Sequence, residues 1–169
     1  MTTILLLLTF LFPVNHGTKP SLVEIRNMVQ KAAESKSANK ELQSKLALFA
    51  DNDALIKGFR ATSTMIEAKH MFNPLARWNK FKQGKALLEE AIKADGANYE
   101  LRYLRFAIQT NIPAVLGYDA HIAADKKLLI DKFPQLTDQD LKTRVLNYML
   151  ACKACTPEEL TKLKQWKKK

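Results

Sequence analysis

Glycine and proline are scarce in this sequence, five and six in 169 residues. An all-β chain needs many tight turns and the residues that make them, so that class is excluded. Cysteine is scarcer still: there are two, too few for a disulfide framework. Acidic residues are outnumbered, 17 Asp and Glu against 27 Lys and Arg, for a formal net charge of +10. No apolar run approaches the roughly 20 residues of a membrane-spanning helix, so no stable span is expected. There is no glycine-rich phosphate loop, no HExxH, and no Ser or Cys nucleophile beside a histidine. The chain therefore reads as a non-enzyme without a cofactor or metal.

What is present suits a globular protein, with 47% hydrophobic and 26% charged residues. At this length a chain buries about 70% of its unfolded surface and needs no staples. The basic excess favours an acidic protein, an anionic membrane or a nucleic acid as partner, yet it contains no specific nucleic-acid motif. Much of the excess is lysine scattered along helices, which equally describes a solvated face.

Ile4 to Phe12 is an apolar run broken only by Thr9. Its length fits the core of a secretory signal, about 7–15 residues. Neither a preceding basic residue nor an Ala-x-Ala site accompanies it, and an N-terminal core helix is the alternative. Residues 1–18 are read as a signal peptide, which makes the mature chain exported, periplasmic or secreted, with a cytoplasmic protein as the alternative. Residues 21–168 are read as a single helical-hairpin domain.

Helical punctuation fills that domain. Ser21 and Glu24 have capping-box spacing, followed by Leu22, Ile25, Met28, Val29 and Ala32 at helical period. Asp51–Asp53 supply a cap for a long helix to about Phe72, with Leu55, Phe59, Thr62 and Ile66 on one stripe. Asn73-Pro74 ends it and starts the next, because proline disfavours helix in the preceding residue and suits the first helical position. The new helix places Leu75, Trp78, Phe81, Gly84, Leu88, Ala91 and Ile92 inward, with Gly96 suited to a left-handed cap. Asn98 caps a helix to Asn111 that is apolar nearly all round, the mark of a central helix. Asp119, Thr137 with Asp140, and Thr156 with Glu159 start the remaining helices. The class is all-α, an array of about seven antiparallel helices in hairpins.

Gly84, Leu88, Ala91 and Gly96 fit the second-helix half of the tetratricopeptide signature, in which small residues sit where helices touch. No tandem copy lies about 34 residues away, so the pattern reports close helix packing more than a repeat. "AKHMFNPLARWNKFKQGKALLEEAIKAD", "ELRYLRFAIQTNIPAVLGY" and "DKKLLID" resemble a family of uncharacterised exported helical proteins of Gram-negative bacteria. That resemblance covers a little under half the chain. It implies a tetratricopeptide-like hairpin fold and carries over no activity and no functional residue.

The polar candidates are few. Arg102, Arg105 and Gln109 form a seam on the otherwise apolar central helix and are the candidate contact for a partner or an anion. Internal pairing with Glu67, Glu89 or Glu90 is the competing reading. Cys152 and Cys155 form a lone CxxC with no strand before it and no second ligand pair, so they read as packing cysteines. Asp119, His121 and Asp125 mimic a cluster, but Asp119 reads as a cap and Asp125 as a solvated helix residue. Lys162 to Lys169, with Trp166 among them, reads as a solubilising tail. The partner to which this points is another protein; the alternative is an anionic ligand or surface met by basic helix faces.

Overall fold

The computed structural model describes residues 18–167, and nearly all of the proposed signal segment lies outside them. Among the described residues there are eight α-helices and no strand: α1 Leu22–Ala32, α2 Lys36–Leu46, α3 Ala54–Lys69, α4 Pro74–Ala94, α5 Tyr99–Asn111, α6 Ile122–Lys132, α7 Gln139–Ala151 and α8 Pro157–Lys167. Two 3-10 turns, Ala114–Leu116 and Phe133–Gln135, interrupt the connections.

Side chains at the helix ends explain most boundaries. Ser21 and Glu24 make the full reciprocal box at α1. Ser35, Asp53, Asn73, Asn98 and Asp138 each accept a backbone N–H in the first turn of their helix, satisfying a donor that has no partner within the helix. Thr156 and Glu159 bond reciprocally at α8. Three expectations change. Helix α2 runs from Lys36, under a Ser35 cap, to Leu46, where the sequence pattern alone fits a helix from Asn39 to Ala50. Helix α6 begins at Ile122 without a side-chain cap, leaving Asp119 outside it. At α7 the cap is Asp138, one residue after Thr137, because Asp140 is committed to two arginines.

The helices pack in consecutive pairs, α1 on α2, α3 on α4, α5 on α6 and α7 on α8, with α3 also packed on α2 and touching α1 and α5. The tightest pair is α3/α4. A Cβ on Gly84 would lie 2.9 Å from the Ala61 carbonyl oxygen, so only glycine lets the two backbones approach this closely. Gly96 is not left-handed; the single glycine with positive φ among the described residues is Gly117, which closes the first 3-10 turn. Asp95 ends α4 instead, with a non-helical backbone at φ −140° and ψ 75°.

Three apolar clusters form the core, and α5 belongs to all of them. Leu104 joins Ile25, Leu42, Leu46, Ile56 and Phe59; Leu101 joins Met65, Phe81, Leu88 and Ile92; Phe106 joins Leu129, Phe133, Val145, Met149 and Leu163. That is the central role its all-round apolar pattern predicts. Phe72 and Leu75, by contrast, are exposed. Helix α3 stops at Lys69, three residues before Phe72, and this releases the ring from the helix end where the sequence pattern placed it, beside the buried stripe. Trp78 is 39% exposed and stacks on the buried Phe81 at 6.0 Å.

Candidate partner-binding groove

The arginine seam of α5 turns inward. Arg105 donates to both oxygens of Asp125, at 2.7 and 2.9 Å, and to Glu89 at 2.7 Å. Arg102 donates to the same Asp125 through Nε. Tyr118 donates its hydroxyl to the other Glu89 oxygen at 2.6 Å. Asp125 has no exposed surface, which corrects its reading as a solvated residue. Burial opposes the charge of Arg105, but the Asp125 and Glu89 carboxylates outweigh it and hold the guanidinium charged more firmly than usual. Burial, followed by the Glu89 hydrogen bond, pushes the Tyr118 phenol well above its ordinary range. Gln109 lies next along the seam, buried, with neither amide atom partnered among the described residues.

A second network joins the two ends of the chain. Arg26 on α1 grips Glu100 on α5 with two bonds of 2.7 Å and reaches Asp138 at 2.8 Å and Asp140 at 2.9 Å. Arg144 donates to Asp140 at 2.8 Å and to Asn27 at 2.6 Å. Such buried pairs are costly to break one side at a time. Both networks therefore fix how the helices sit against α5.

A groove of about 1120 Å³ opens between the helices. Helices α1, α3, α5 and α7 line it, and α4 adds only its first two turns; α2, α6 and α8 contribute nothing. Its floor is apolar, with Phe59, Ile66, Phe81, Leu104 and Ile108. One lip carries Phe72, Pro74 and Trp78 opposite Pro113 and Leu116. Lys69 and Arg77 give the walls a positive bias against the carboxylate of Glu34, since Arg26 and Arg144 are taken up by Glu100, Asp138 and Asp140. Lys82 adds its ammonium 5.6 Å from the Trp78 ring.

None of Arg102, Arg105 and Gln109 lines this groove. The groove residues were missed as a site because Trp78 keeps helical period with true core positions such as Phe81 and Leu88. One signal was available: Phe72 directly precedes Asn73-Pro74, where a helix must already have ended. The paired cysteines stand apart, between α7 and α8. Burial and then the neighbouring Cys152 push the Cys155 thiol up to about 12, far from the thiolate that nucleophilic or metal chemistry needs. Among the described residues no group of three His, Cys, Asp or Glu is placed to hold a metal ion, and no helix is long and apolar enough to cross a membrane. No protein-family model, curated protein or solved structure matches the chain.

Proposed function

We propose that this protein is an exported, non-enzymatic helical scaffold of the tetratricopeptide-like kind that holds a segment of another protein in the α1/α3/α5/α7 groove. The observation that carries the reading is the division of labour between helices. The first helix of each consecutive pair lines the groove and the second supports it from behind, apart from the start of α4. An array of stacked hairpins produces such a concave surface. Exposed aromatic side chains at the lip fit protein contact, since clustered apolar surface open to water marks interaction sites. The export half rests on the apolar run Ile4–Phe12 and on the resemblance to exported helical proteins.

The test is affinity capture from the native host, comparing the wild-type chain with Phe72→Ser at two salt concentrations. Phe72 is fully exposed, so its loss leaves the fold intact. Capture that is lost in the variant, with at most a moderate loss at the higher salt concentration, is the expected result. A second reading, contact with an anionic ligand or surface, is favoured by the +10 net charge. It predicts the reverse: steep weakening with salt and no effect of Phe72→Ser.

A further inference from the structure

We infer that the groove's occupant is an acidic amphipathic segment of a partner protein, with apolar side chains on the groove floor and carboxylates on its basic walls. This rests on the groove being a protein-binding surface and specifies the partner's chemistry. The charges decide the sign. Arg26 and Arg144 are taken up by Glu100, Asp138 and Asp140, leaving Lys69 and Arg77 against Glu34. Arg77 is exposed and sits one residue before Trp78, so a guanidinium and an indole serve the same lip. Lys82 over the Trp78 ring adds further positive charge there. A basic segment would meet net repulsion and a neutral one would leave these cations without gain.

The floor decides the rest. Val29, Ile66, Trp78 and Ile108, none of them fully buried, offer apolar contact that a strand of phosphates cannot use. The volume of about 1120 Å³ exceeds the about 300–1,000 Å³ typical of small-molecule sites, and the groove spans five helices. An amphipathic helix laid into an apolar groove, with anchors at i, i+3, i+4 and i+7, matches both features.

The experiment uses the full chain and three probes: a synthetic amphipathic helix with Leu and Phe anchors flanked by Glu, its twin with Lys for every Glu, and vesicles of anionic phospholipid. The readout is the indole N–H signal of Trp78. Trp166, which stacks on Phe133 at 4.5 Å away from the groove, serves as the internal reference. The acidic peptide is expected to shift Trp78 and leave Trp166 unmoved, and Arg77→Glu to weaken it at least about tenfold. Arg77→Gln should act in the same direction with a smaller effect, and serves if charge reversal disturbs folding. Silence from the acidic peptide, equal binding of the lysine twin, or a Trp78 shift given only by vesicles overturns the inference. If Phe72→Ser still abolishes capture of a host protein while the acidic peptide is silent, only the partner's chemistry is wrong. If Phe72→Ser captures as wild type does, the groove reading itself falls.

Discussion

Asp125 shows how much energy one buried group commits. It has no exposed surface and takes bonds from both Arg102 and Arg105. Arg105→Gln strips it of its principal cation and should cost about 3–5 kcal/mol in urea unfolding. Arg77→Gln, on an exposed position, should stay within about 0.5 kcal/mol. Equal effects would mean that the α5–α6 network is not structural. Acid probes the second network. Arg26 holds the Asp138 carboxyl below its ordinary range, and Arg144 and Arg26 do the same for Asp140. Carboxylates with depressed folded values stabilise fully above about pH 4 and lose that contribution as pH falls through the depressed values. The melting temperature should therefore fall below about pH 4, and Arg26→Gln should flatten that part of the profile. The sequence offered little of this detail. Asp125 is followed by two lysines and looks solvated until the fold brings α5 against it, and Arg26 reaches partners as far away as Asp140.

Among the elements, α3 and α4 make the sharpest prediction. Alanine is a better helix former than glycine by about 1 kcal/mol, so Gly84→Ala would stabilise an isolated α4. In the folded chain the added methyl would lie 2.9 Å from the Ala61 carbonyl oxygen and 3.1 Å from the Met65 amide nitrogen, both backbone atoms that cannot rotate away. Overpacking of this kind costs typically about 1–3 kcal/mol. Net destabilisation in thermal melting is expected, and a gain in stability would show that α3 and α4 separate more easily than their packing implies. Elements were the most readable level of the sequence. Ser21 with Glu24, Asn73-Pro74 and Asn98 are local signals whose chemistry acts within one helical turn, and each marks a boundary in the structure. Reading failed where a local signal had a rival: Thr137 and Asp138 are both competent caps, and the choice depends on Arg26 taking Asp140.

At the scale of the molecule, α5 ties three apolar clusters and two ionic networks together, while the helices before and after it curve around one groove. The central helix was legible because its apolar residues leave only a narrow polar seam. The groove was not, since periodicity assigns Trp78 to a buried face and cannot say that the face lacks a covering helix. An exposed aromatic lip in water is stable only because the floor beneath it is held elsewhere, by Phe81 packed edge-on to Tyr118 at 6.2 Å and by α5 behind it. The measurement that tests the central claim most directly is site-specific photocross-linking in the native host, with a benzoylphenylalanine in place of Phe72 on the lip or of Lys127 on α6, which takes no part in the groove. Cross-links to one discrete protein from position 72 and none from position 127 are predicted. Equal cross-linking from both positions, or from position 127 alone, would contradict the assignment of the groove as the partner-binding surface.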